Sequence, residues 1–309
     1  MPRKDGQQPL QKRIMVILSS FQLIRRSWRM VLWLYGVNFL MSLLVLLPAY
    51  ATFRRDMGAS LEYLKLLNGF DFTVYSDFRH NHGSATNSLL TVGFWLGLLY
   101  LLISVFFTGG LLQQVASATD RRQTFRLSRF LAAGAQGFGR FFRLFLCVSS
   151  FIFLLSVVFL LAGGLSALAL TKTLNEEELS YVALAFLLVF ALSALLALCV
   201  GDYAKIRLFR RDETRAVFAF WVSMRFLFSR VRVTFGNYLL LIGVGLACFG
   251  VYFLLESWIV TRGWAEIALL FLIQQLFIIS RTFLKVWVLA TATVVFTEQE
   301  KQPTISPAR

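Results

Sequence analysis

Long apolar runs alternate with short polar segments along the whole chain. The first run covers about Met30 to Tyr50, the second about Leu89 to Leu112 and the third about Leu144 to Leu170. The fourth covers about Tyr181 to Val200, the fifth about Tyr238 to Glu256, and the sixth lies within Trp264 to Phe296. Each provides the roughly 20 residues that a helix needs to cross a hydrocarbon core of about 30 Å. In lipid a backbone must satisfy its own hydrogen bonds, so these runs read as helices rather than open sheet. The pattern predicts an all-α, integral membrane six-helix bundle. It divides the chain into a basic amphipathic segment (1–29), a six-span membrane domain (30–296) and a tail (297–309). The apolar stretch Ile14 to Leu18 is too short for the core of a cleavable signal peptide, so the first span is expected to act as the insertion signal.

The segments before spans one, three and five share a second pattern. Ile14, Ile17, Phe21, Ile24 and Trp28 recur at helical spacing before the first. Leu127, Phe130, Leu131, Phe138, Phe141 and Phe145 do so before the third, and Val217, Phe220, Trp221, Met224, Phe228 and Val231 before the fifth. Arg and Lys occupy the other faces. Such helices lie at an anionic interface or pack their apolar face on the bundle, and the pattern leaves both open. The layout repeats as basic helix, span, outer loop, span, which suggests three hairpins. Gly109 after span two matches Gly201 after span four, and Asp120 matches Asp212. The third unit is looser. Gly109-Gly110 and Gly163-Gly164 are candidates for close helix approach or local bending.

Composition agrees with lipid as solvent. Of 309 residues, 58% are hydrophobic and 15% charged, with 32 Phe. The formal net charge is +15. The basic residues fall between apolar runs, so they orient the chain rather than point to nucleic acid. Of the 31 Lys and Arg, 25 lie on the side of the termini and six on the other. The positive-inside rule therefore predicts both termini in the cytoplasm. The outer side carries a long first loop with an apolar stretch at Leu61 to Leu67, and a short acidic loop with Glu176, Glu177 and Glu178.

Chemistry-bearing residues are few. Cys147, Cys199 and Cys248 are dispersed and lack metal or disulfide spacing. His80 and His82 have no third ligand nearby, so they read as loop residues and no metal or cofactor is expected. Asp56, Asp71 and Asp77 carry no catalytic spacing. The sixth apolar run is the exception. At about 48 Å of helix it exceeds the hydrocarbon core. Gln274, Arg281 and Lys285 fall on one of its faces, with Glu266 continuing the stripe outward. Charged groups inside a span face a cavity, or they snorkel to the interface. Asp202, at the inner end of span four, is a candidate ion-pair partner for Arg281 or Lys285, or else an interfacial or capping carboxylate. Together Gln274, Arg281, Lys285 and Asp202 form a candidate site for an anion or lipid headgroup.

Phe107-Thr108-Gly109-Gly110-Leu111 followed by Phe138-Gly139-Arg140-Phe141, and Gly201-Asp202-Tyr203-Ala204 followed by Arg215 to Arg225, carry a resemblance. In layout the chain is similar to six-span bacterial membrane proteins that resemble the membrane region preceding some glycerophosphodiester phosphodiesterases. That resemblance implies a bacterial inner-membrane location. It brings no phosphodiesterase activity, because no such catalytic domain is present. The sequence favours a non-enzymatic, membrane-organising or accessory protein whose partners are anionic lipids, a second protein or further copies of itself. The alternative is a transporter, channel or lipid-handling protein that uses the polar stripe of span six.

Overall fold

The computed structural model describes residues 8–57, 72–73, 76, 80, 83–118, 125–171, 173–259 and 263–301. The apolar stretch at Leu61 to Leu67, His82, Asp71, Asp77 and Asp120 lie outside the described residues. Eight helices run through the rest: α1 (Gln8–Arg26), α2 (Trp28–Met57), α3 (Gly83–Ala118), α4 (Leu127–Leu170), α5 (Glu176–Arg210), α6 (Ala216–Ser229), α7 (Val231–Trp258) and α8 (Trp264–Lys301). No strand occurs among the described residues. Helices α2, α3, α4, α5, α7 and α8 are long and apolar enough to cross a membrane. The protein is an all-α, multi-pass membrane protein.

Local sequence explains the helix ends. Asn175 caps α5 in a capping box, and its backbone N–H donates to Glu178 Oε2 at 3.0 Å. Glu176, Glu177 and Glu178 fill the first turn, while Arg207 and Arg210 fill the last, each sign favourable to the helix dipole. The acidic outer loop expected from the sequence is thus the first turn of a span. The basic amphipathic segment before span three is likewise no separate element. It is continuous with the span in a single 44-residue helix, α4, as no proline interrupts it.

The chain divides into two compact units. One is Leu32–Ser104, and the other joins Met1–Val31 to Val105–Arg309. In the smaller unit, Leu40, Leu47, Leu90, Phe94 and Trp95 are exposed, as lipid-facing side chains would be. Pro48 sits inside α2 there.

In the larger unit, burial is confined to one end of each span. On α4 it ends at Val148, on α5 it begins at Ala197, on α7 it ends at Leu241, and on α8 it begins at Thr282. The remaining apolar stretches, 149–170, 176–196, 242–258 and 264–281, hold no buried residue. At 1.5 Å per residue they measure about 25–33 Å, close to the thickness of a hydrocarbon core. Lipid gives apolar side chains little reason to leave it for one another. Water does, at about 25 cal/mol per Å² of apolar surface buried. A core gathered at one end of the spans is what these two solvents together produce.

Glycine permits the tightest contacts in that core. A Cβ on Gly109 of α3 would stand 2.6 Å from the Ala133 carbonyl oxygen of α4, and one on Gly134 would stand 2.8 Å from the Phe106 oxygen. Gly201 of α5 also abuts α4, at Val148. The two glycines matched by the repeat therefore both meet α4. A Cβ on Gly163 would meet Phe186, but one on Gly164 would point into open space.

The two short helices close the core. Ser20 of α1 shares a 2.8 Å hydrogen bond with Thr291 of α8, and Trp287 donates its indole N–H to Ser20 Oγ at 3.1 Å. Phe21 meets Phe283 and Trp287 edge-on, and Gln114 of α3 donates to Ser27. Helix α6 buries Ala216, Ala219, Phe220, Ser223 and Leu227. Its opposite face exposes Val217, Phe218, Trp221 and Phe228. It therefore has two apolar faces, one against protein and one outward.

Candidate functional site

The C-terminal end of α5 carries polar groups close to the boundary between unburied and buried stretches. Lys205 Nζ donates to Asp202 Oδ1 at 2.8 Å, one turn apart on the same helix. The Asp202 side chain is 19% exposed. From α8, Lys285 lies within the electrostatic reach of both Asp202 and Lys205. Tyr203 and, from α7, Tyr238 also lie in the field of Asp202. Beside Tyr238, Asn237 is 3% exposed, and neither polar atom of its side chain has a partner among the described residues.

Two ammonium groups thus act on one carboxylate, Lys205 by direct contact and Lys285 through space. The carboxylate lowers their mutual repulsion but leaves an excess positive charge, which suits an oxyanion at a partly wet surface. Of the four residues singled out by the sequence, Asp202 and Lys285 lie within each other's electrostatic reach. Arg281 is exposed one turn earlier on α8. Gln274 stands elsewhere: it and Glu256 interact with the Tyr252 hydroxyl, and the Tyr252 ring stacks on Phe277 at 4.7 Å. Sequence reasoning missed Lys205, although an Asp followed three residues later by Lys on a helix is the signal for such a pair.

Beyond this cluster the chain after α5 is tied down by arginines. Arg207, only 13% exposed, forks onto Glu213 through Nε at 3.0 and 3.1 Å and through a terminal nitrogen at 2.8 Å. Its guanidinium lies 5.8 Å from the Phe218 ring of α6. Arg140 of α4 pairs with Asp212, whose φ of 51° is in the left-handed region. Arg210 and Arg211 both reach Glu300 of α8.

A groove of about 550 Å³ opens where α1, α3, α5 and α8 meet. Leu23, Leu112, Val115, Ile206, Phe209 and Val294 supply apolar wall, while Arg26, Arg210, Gln22 and Glu298 supply charge and hydrogen bonding. None of the four sequence candidates lines it. Among the described residues no group of three metal-ligating side chains occurs, and His80 is exposed. No family model, curated protein or solved structure matches this chain.

Proposed function

We propose that this is a non-enzymatic inner-membrane protein of bacteria, with both termini cytoplasmic, that gathers anionic lipid at its inner face. One observation carries the reading. In α4, α5, α7 and α8 burial starts where an apolar stretch of about hydrocarbon-core length stops. Arg281 and Lys285 fall within about one turn of that limit, at headgroup depth, and Lys205 lies about 12 Å beyond it, within reach of the headgroups through its long side chain. The 25-to-six bias of Lys and Arg assigns this end to the cytoplasm. The anionic inner leaflet attracts each nearby basic side chain by about 1 kcal/mol.

The outward face of α6 supports the same reading. Trp221 and Phe228 form an aromatic stripe flanked by Arg215, Arg225 and Arg230, the composition of an interfacial helix. The layout shared with six-span bacterial membrane proteins fits a membrane-organising or accessory role, with a protein partner or further copies as the assembly it would serve. Solute passage along the stripe of α8 is the weaker reading, since Gln274 is engaged with Tyr252 about 16 Å along the helix from Lys285.

The test is lipid retention. The full-length protein is reconstituted in nanodiscs of mixed phosphatidylglycerol and phosphatidylcholine, and the lipid that stays bound is measured by native mass spectrometry. The reading expects phosphatidylglycerol enriched over the bulk ratio, and less enriched in the triple variant Lys205→Gln, Arg281→Gln, Lys285→Gln. A bulk ratio in both proteins contradicts it.

A further inference from the structure

The groove between α1, α3, α5 and α8 is separate from the lysine cluster and has a different charge pattern. Arg26 comes from α1, Arg210 from α5 and Glu298 from α8, so the two signs reach the groove from different helices. Arg210 is already occupied, donating to Thr297 Oγ1 at 2.7 Å and pairing with Glu300 at 3.5 Å. Arg26, Gln22 and Glu298 have no hydrogen-bond or ion-pair partner among the described residues. The groups left for a ligand are therefore one guanidinium, one amide and one carboxylate above an apolar floor.

A guanidinium selects an oxyanion, because its planar fork matches two oxygens at once. A carboxylate beside it repels a second negative charge and attracts a cation. Glu298 and the hydroxyls of Thr293 and Thr297 can all accept hydrogen bonds from a primary ammonium, whereas a quaternary ammonium has no hydrogen to give them. The apolar wall of Leu112, Val115 and Ile206 suits a hydrocarbon portion, and 550 Å³ is an ordinary volume for a small-molecule site. The groove lies farther along α8 than the lysine cluster, and on α5 it begins at Ile206, next to Lys205. Ile206 is about 45 Å along the helix from Glu176, and Thr293 about 44 Å from Trp264. A bilayer with its headgroups is about 40–45 Å thick, so the groove opens at the aqueous edge of the inner headgroups.

We propose that this groove binds a zwitterionic amphiphile, a phosphoethanolamine headgroup on an apolar body, with its phosphate on Arg26 and its primary ammonium on Glu298. The proposal uses none of the residues invoked for anionic-lipid gathering, so either can fail without the other. The same headgroup chemistry could arrive on a membrane lipid or on a soluble phosphoethanolamine.

The experiment measures saturable binding of radiolabelled lysophosphatidylethanolamine, lysophosphatidylcholine and lysophosphatidylglycerol. It uses the full-length protein in phosphatidylcholine nanodiscs, with empty nanodiscs subtracted. The ethanolamine probe is expected to bind about tenfold more tightly than the other two, the size of one charge-assisted contact. Arg26→Gln should weaken it by about tenfold. Glu298→Gln should erase the preference for ethanolamine over glycerol, a change of selectivity that loss of folding would not produce. Displacement of the probe by millimolar phosphoethanolamine would assign the site to the soluble source, and resistance to it would assign the site to the lipid. Absence of saturable binding, or equal binding of all three probes by the unaltered protein, overturns the proposal. So does a preference that survives both substitutions.

Discussion

Arg210 of α5 donates a hydrogen bond to Thr297 of α8 across 2.7 Å, joining two spans 87 residues apart at the end where the core is gathered. Glu300 extends this link by accepting from Arg211 and pairing with Arg210. These pairs are largely exposed, so each should contribute only about 0–1 kcal/mol. Thr297→Val is accordingly expected to shift the melting temperature by no more than a few degrees. A loss of more than about 2 kcal/mol in a detergent unfolding titration would show a stronger dependence on this link than exposed pairs allow.

The buried fork is a different case. Arg207 holds Glu213 through two nitrogens and is mostly shielded from water. Glu213→Gln is expected to cost about 1–3 kcal/mol, because the guanidinium loses its charged acceptor. Arg207→Lys should cost a similar amount, since an ammonium cannot reproduce the fork. A double-mutant cycle checks this, and a coupling energy near zero would contradict it.

The α3–α4 crossing depends on absent side chains. Gly109→Val places carbon against the Ala133 carbonyl and should destabilise by about 1–3 kcal/mol or more. Gly139→Ala, on the same α4 and with nothing within 4 Å, should be neutral or stabilising by up to about 1 kcal/mol. Thermal unfolding of the two variants in one detergent makes the comparison. Equal melting temperatures would refute close packing at Gly109.

Charge balance in the lysine cluster gives an ordered pair of outcomes. Asp202→Asn leaves Lys205 and Lys285 facing each other's charge, whereas Lys285→Met removes one of the two cations. The first variant is therefore expected to be less stable than the second, by at least about 1 kcal/mol. The reverse order in guanidinium or sodium dodecyl sulfate titrations would mean that Asp202 does not offset the lysines.

Span number and helical class were legible in the sequence, because twenty apolar residues in lipid admit one backbone solution. Boundaries were less so. The basic segment from Leu127 belongs to the same helix as the span that follows, since hydropathy falls there while helix propensity does not. The three glutamates read as a loop are a helix's first turn, where the dipole favours them. On α6, one face packs on protein at Phe220 while the other, at Trp221, is exposed. Asp202 could be named as a partner for the cations of the sixth span from its place at the end of its own span, whereas Lys205 as its contact was missed. The groove could not be anticipated, because Arg26, Arg210 and Glu298 are neighbours only through the contacts of α1, α5 and α8.

The basic, tightly packed end of the spans is expected to face the cytoplasm. Single cysteines placed at Asn175 and at Asp212, in a chain whose own three cysteines are replaced, test it through labelling by a membrane-impermeant maleimide. The account predicts that Asn175→Cys is labelled in spheroplasts with an intact inner membrane, and that Asp212→Cys is labelled only after that membrane is opened. Labelling of Asp212→Cys in the intact spheroplasts, with Asn175→Cys protected, would contradict it.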